Sequence, residues 1–231
     1  GAFAKAIADH DYAAGYHAVY PVKVNQQRHV VESMLAMGRD HGFGLEAGSK
    51  PELLAVMAMV DDPDTPIICN GFKDSQFIEA VILATKLGKN IIPVVEKFSE
   101  LKLIIEHAKK HDVRPRIGVR VKLASRGTGR WEHSAGERSK FGLFVSEVLD
   151  LVEQLRAEDM LDCLTLLHCH VGSQLNDIRK VKSVVTELSR VYCELHRLGA
   201  KATYVDIGGG LGVDYTGSGA AQEGSINYSL Q

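Results

Sequence analysis

Short apolar runs alternate with longer stretches that repeat every three to four residues along most of this chain. The runs at 16–24, 43–46, 67–70, 91–96, 116–121, 163–170 and 203–207 are rich in Val, Ile, Leu, Phe and Tyr and read as strands. Between them, residues 28–37, 51–60, 74–87, 98–111, 146–158 and 177–198 carry apolar positions at helical spacing. Ser49 before Pro51 and Glu52, and Ser99 and Ser146 near following acids, are helix-start signals, while Gly38, Gly88 and Gly199 stand where helices should stop.

Strand followed by helix, repeated, is the pattern of a parallel sheet with helical crossovers. The first five strand starts recur at roughly two dozen residues, the length of one unit of a (β/α)8 barrel. The expected fold is therefore α/β, a TIM-type barrel formed by one domain over residues 1–231. A doubly wound open sheet is the alternative. Only seven strands are legible, the chain opens without Met and it stops after a turn-rich stretch, so it reads as a piece of a longer protein cut before an eighth strand. Residues 124–141 break the rhythm: they are rich in Gly, Ser and both charge signs, and are expected to form a long loop over the functional face or a solvated insertion.

Composition narrows the partner. The 27 basic and 29 acidic residues nearly cancel and form no long run of one sign, which excludes a nucleic-acid stripe or a polybasic membrane patch and leaves a small molecule. Four cysteines without a C-x-x-C pair fit reduced thiols rather than a disulfide frame or a zinc site. No apolar run approaches the roughly 20 residues of a membrane span.

Strands covered on both faces should be apolar inside and keep their chemistry for their C-terminal ends. Those ends offer Lys23, Glu46, Asn70, Glu96, Arg120, His168 with His170, and Asp206. Lys23 is flanked by valines. Either it is buried and neutral, as Schiff-base chemistry requires, or it reaches the rim and pairs with Glu46. Gly208, Gly209 and Gly210 follow the seventh strand, where bare backbone N–H groups can approach a phosphate. Val213 falls where G-x-G-x-x-G needs its third glycine, so a nicotinamide site is excluded. His168 and His170 share one side of a strand, but no third ligand completes a metal site. Ser173 follows a glycine at the same strand's end, a good place for a hydroxyl donating to phosphate.

The lysine of the first strand, H-V-G-S after the sixth and G-G-G after the seventh together resemble the alanine-racemase-like, fold-type III family of pyridoxal-phosphate enzymes. YPVKVNQ, FGLEAGSKPE, CNGFKD, GERSKFG, LLHCHVGSQ and DIGGGLGVDY, in that order from about Gly15 onward, resemble its arginine-decarboxylating branch. The resemblance implies that Lys23 carries pyridoxal phosphate as a Schiff base and that His170 lies against the pyridine ring. It assigns the phosphate to Ser173, Gly208, Gly209 and Gly210, and puts Arg120 near the ring. Glu46 and Glu52 would line the same pocket, with Asn70 beside them. Asp206, Ile207, Leu211, Gly212, Val213, Asp214 and Tyr215 would meet the substrate. It further implies decarboxylation of arginine to agmatine, a homo-oligomer, and a cytoplasmic or, in a plant-type enzyme, plastid location. Magnesium is implied too, although the sequence offers no ligand set for it. Ornithine or diaminopimelate decarboxylation, or a catalytically dead binding protein, are the rival readings.

Overall fold

A computed structural model describes residues 2–123 and 140–229. Its contacts divide the chain into two compact units, residues 2–92 and 93–229, with the division inside the fourth strand.

The first unit opens with a helix the hydrophobic pattern did not announce, α1 (Ala2–Asp9), none of whose residues is buried. Strands β1 (Val19–Pro21), β2 (Gly44–Ala47) and β3 (Ile67–Cys69) run parallel, with Val19 opposite Gly44 and Leu45 opposite Ile67. Helices α2 (Arg28–Gly38), α3 (Lys50–Met59) and α4 (Ser75–Lys86) follow them. Leu45, Leu53, Val56, Ile67, Phe77, Val81 and Ile91 form the core. Burying each such side chain contributes about 1.5–3 kcal/mol, which decides which face of each helix turns inward.

The second unit carries the rest of β4 (Ile91–Val95), then β5 (Ile117–Arg120), β6 (Leu164–His168) and β7 (Tyr204–Asp206), again parallel. Between them lie α5 (Phe98–His111), α6 (Val145–Ala157) and α7 (Ile178–Arg197). The register places Arg120 opposite His168 and His168 opposite Asp206, so three strand exits end in one row.

All seven expected strands and all six expected helices are present, with ends moved by a few residues. The largest change is in the first strand. Pro21 has no N–H to give a ladder, so β1 ends there and Val22–Val24 form a 3-10 turn. Ser49 caps α3, its Oγ accepting the Glu52 N–H, and Pro51 stands in the first turn. Ser99 and Ser146 do not cap: the caps of α5 and α6 are Lys97 and Phe144, and Glu100 and Glu147 bond backward to the N–H groups of Glu96 and Phe144 instead. Gly38 stays helical, and the left-handed stop falls at Gly42 after a 3-10 turn; Gly88 and Gly199 end their helices with positive φ as expected. Of the expected loop at 124–141, only Lys140 and Phe141 lie within the described residues. No described helix is long and apolar enough to cross a membrane.

Cys69, Cys163 and Cys169 are buried and Cys193 is exposed, all as free thiols. Burial pushes the Cys69 and Cys169 thiols up to about 12 and raises that of Cys163. Thiolate is the reactive form. Iodoacetamide at pH 8 should therefore alkylate Cys193 in the folded protein and leave the other three unmodified, as read by peptide mass spectrometry.

Candidate active site

In the first unit the exits of β1, β2 and β3 bring up Lys23, Glu46 and Asn70. Because β1 stops at Pro21, Lys23 sits on the 3-10 turn rather than on a strand. Its side chain is 58% exposed, while that of Glu46 is only 11% exposed. Lys23 Nζ donates to both oxygens of Glu46, at 2.9 and 3.3 Å. Of the two readings of Lys23, the structure has the paired one: the amine reaches outward to a buried carboxylate, and the lysine is not dehydrated. Water still reaches the amine, so the ion pair lacks the full strength a dry interior would give it.

Glu52 is committed to one backbone donor and one side-chain donor. Its carboxylate accepts the Gly48 N–H at 2.6 Å and the Gln26 amide at 3.0 Å, which ties the start of α3 to the turn before it. Asn70 Oδ1 is the reverse case: it is buried and no donor among the described residues reaches it. A buried acceptor without a donor costs about 1–3 kcal/mol, and a ligand can remove that cost.

The exits of the second unit are built from pairs. Arg120, at the end of β5, lies 3.3 Å from Glu96 Oε1 with both side chains buried, and its guanidinium stands 5.4 Å from the centre of the Phe141 ring. His168 Nδ1 lies 3.1 Å from Asp206 Oδ2. Asp206 Oδ1 accepts the Gly208 N–H at 2.7 Å. Burial alone would raise the Asp206 carboxyl, but the neighbouring His168, the hydrogen bonds from His168 and Gly208, and His170 bring it below the ordinary value. His168 and His170 are thus each tied to the β7 exit. Ser173 is half-buried in the loop after β6.

The glycine run has the backbone that calls for glycine. Gly208 and Gly209 have φ of 53° and 73°. A Cβ on Gly209 would stand 2.4 Å from Val171 Cγ1 and 2.5 Å from Gly172 O, whereas one on Gly210 would meet open space. The N–H groups are not bare, contrary to the sequence reading. Gly208 donates to Asp206, Gly209 to His170 Nδ1 at 3.1 Å, and Gly210 to Gly172 O at 2.9 Å. The Gly208 and Gly210 bonds hold the turn in place. The Gly209 bond ends on the half-buried His170 side chain.

The residues beyond the glycines divide. Asp214 accepts the N–H groups of Thr216, Gly217 and Gly219 and so closes its own turn. Burial alone would raise its carboxyl, but these bonds and one with Ser225 bring it below the ordinary value. Ile207, Leu211 and Gly212 are half-buried. Val213 and Tyr215 are exposed, the latter at 76%.

Each unit thus sets its polar residues at the exits of parallel strands, a lysine–carboxylate pair in the first and a glycine turn beside histidines in the second. The chain belongs to the family described as pyridoxal-dependent decarboxylases, pyridoxal binding domain, which matches residues 3–230. It is 56% identical to the biosynthetic arginine decarboxylase of Rhodopirellula baltica and 52% identical to that of Phocaeicola vulgatus, over 99% of this chain in each case. It spans about a third of the length of these curated relatives, 34% and 36%. Among solved structures, the biosynthetic arginine decarboxylase of Campylobacter jejuni superposes with a TM-score of 0.88 at 37% identity, covering 100% of this chain and 37% of that one. A diaminopimelate decarboxylase from Helicobacter pylori superposes with a TM-score of 0.76 at 24% identity, over 94% of this chain and 53% of that one, which is a likeness of fold. The α/β fold is thus the alanine-racemase-like one expected, and the doubly wound alternative is set aside. The similarity also begins about a dozen residues earlier than the motifs suggested.

Two outcomes follow from the glycine turn and its neighbour. Gly209→Ala should destabilise the protein by about 1–3 kcal/mol or more, because it adds strain at positive φ to two overlaps, while Gly210→Ala should be nearly neutral; urea unfolding measures both. For Asp206, a depressed folded-state pKa means that the carboxylate's contribution is full above the ordinary value of 3.8 and is lost as pH falls through the lower folded value. The stability gap between wild type and Asp206→Asn should therefore hold from neutral pH down to about that value and shrink below it.

Proposed function

We propose that this chain is the cofactor-holding part of a pyridoxal-phosphate-dependent decarboxylase that converts arginine to agmatine and carbon dioxide. The observation that carries the reading is Lys23 on its turn, 2.9 Å from a buried Glu46, in a chain of this family. Identity of 56% and 52% to biosynthetic arginine decarboxylases favours arginine over ornithine or diaminopimelate.

The residues fit such a cofactor: an amine with a carboxylate partner, an acceptor at Asn70 that no donor among the described residues reaches, and a turn that only glycine can form at Gly208 and Gly209. Once bound, it would supply an electron sink for the pair left behind as carbon dioxide departs. The rest is work for the chain. An amine attacks a carbonyl only without its extra proton, and Glu46 Oε1 is in position to take it from Lys23 Nζ. Glu46 can return that proton when the lysine is displaced. Ser173 and the Gly208–Gly210 turn would hold the phosphate, with His170 leaving Gly209 and presenting its ring to the cofactor. Arg120, fixed by Glu96, keeps a positive charge at the end of β5. Leu211 through Tyr215, with Asp206 and Ile207, would form the substrate side. In the longer enzyme a homo-oligomer is expected. This chain by itself, about a third of its relatives' length, should turn over poorly.

Borohydride reduction of the full-length enzyme with pyridoxal phosphate should fix the label on the Lys23 peptide, and Lys23→Ala should lose both label and activity. Label on another lysine, or none, removes the reading; a dead binding protein would give none. Glu46→Gln should slow cofactor attachment by on the order of 10²-fold while leaving Lys23 the labelled residue. Carbon dioxide release from arginine, ornithine, lysine and diaminopimelate, compared side by side, should be fastest with arginine.

A further inference from the structure

Past their last ladder positions, β6 and β7 do not part. Val171 N–H donates to Ile207 O, Gly210 N–H to Gly172 O and Leu175 N–H to Gly210 O, and Leu175 pairs with Leu211 as an isolated bridge. Two side chains then continue what the backbone began. The Gln174 amide stands in for a peptide unit: its Nε2 donates to Val213 O at 2.6 Å and its Oε1 accepts the Val213 N–H at 3.0 Å. Tyr228, 16 residues beyond Gly212, uses one hydroxyl twice, donating to Leu175 O at 2.7 Å and accepting the Gly212 N–H at 2.8 Å.

The tyrosine is itself anchored. Its neighbour Asn227 donates its N–H to Asn176 O, accepts the Ile178 N–H, and donates its side-chain amide to Asp177, a buried carboxylate gripped by Arg179. Gly212 is a glycine for the same reason: a Cβ there would meet Ile226 Cγ2 and Leu175 O, each at 2.5 Å. The segment bearing Tyr228 therefore straps the loop after the glycine turn onto the loop that carries Ser173.

We propose that Tyr228 and Gln174 are positioning residues for phosphate binding, locking residues 210–213 against 172–175 so that Ser173 and the glycine turn meet the anion already ordered. This rests on the cofactor reading given above. Three adjacent glycines lose more conformational freedom on ordering than any other tripeptide, and freedom left in the unbound turn is subtracted from ligand affinity. Neither side chain needs to touch the ligand for this. Tyr228 lies outside every motif that marked the site in the sequence.

The test compares two ligands that differ only in the phosphate. Apo full-length enzyme is titrated with pyridoxal phosphate and with pyridoxal, following the visible band of the lysine-bound aldehyde, in wild type, Tyr228→Phe and Gln174→Ala. Each variant should weaken pyridoxal phosphate about tenfold, leave pyridoxal within twofold of wild type, and reach the wild-type band at saturation. Unchanged affinity for pyridoxal phosphate in both variants overturns the inference. So does equal weakening of the two ligands, which would mark a general loss of structure. A wild type that gives no band with either ligand instead sinks the cofactor reading, and this inference with it.

Discussion

A parallel strand with cover on both faces has nowhere along its length to keep a charge, so ionisable side chains gather where the strand ends and the backbone opens to solvent. The rest of this chain follows from that constraint. Strands β2 to β5 are buried throughout, while Glu46 and Asn70 in one unit, and Glu96, Arg120, His168 and Asp206 in the other, stand within a residue of a strand's end. Each buried charge then needs a partner close by, which is why these exits are populated by pairs: Lys23 with Glu46, Arg120 with Glu96, His168 with Asp206.

The strand exits of the two units are prepared in opposite ways. The amine is left accessible, on a turn that proline forces, beside a carboxylate that can relieve it of a proton. The anion turn is held tightly: all three glycine N–H groups have internal acceptors, and the loop beyond is clamped by the Gln174 amide and the Tyr228 hydroxyl. The Gly209 bond ends on the half-buried His170 side chain, so in the proposed reading a phosphate takes this N–H only by displacing that bond. Order in the surrounding loops lowers the remaining cost.

Periodicity made the strands and helices legible because most of them bury an apolar stripe, and the stripe is written in the spacing of Val, Ile and Leu. It missed α1, which buries nothing and so leaves no such mark. It overextended the first strand, because the apolar run continues past Pro21 although the ladder cannot. Ser99 and Ser146 look like caps by residue type, but the helices begin a residue or more earlier and use backward-reaching glutamates. The histidines, the glycine run and the first lysine were all visible as residues that an apolar strand or an ordinary turn would not choose.

What sequence by itself determined is therefore the order of elements, the residues at their exits and the family they resemble, since each of these depends on local spacing or on motifs that stay contiguous. Only the tertiary structure decided which side chain answers which. Lys23 meets Glu46 rather than a dry pocket, Gly209 meets His170, Glu52 meets Gln26, and Tyr228 returns to Leu175 from 53 residues away. Partners so far apart in the chain are set by strand register and by how loops close over it, and neither quantity is written in any short stretch of sequence.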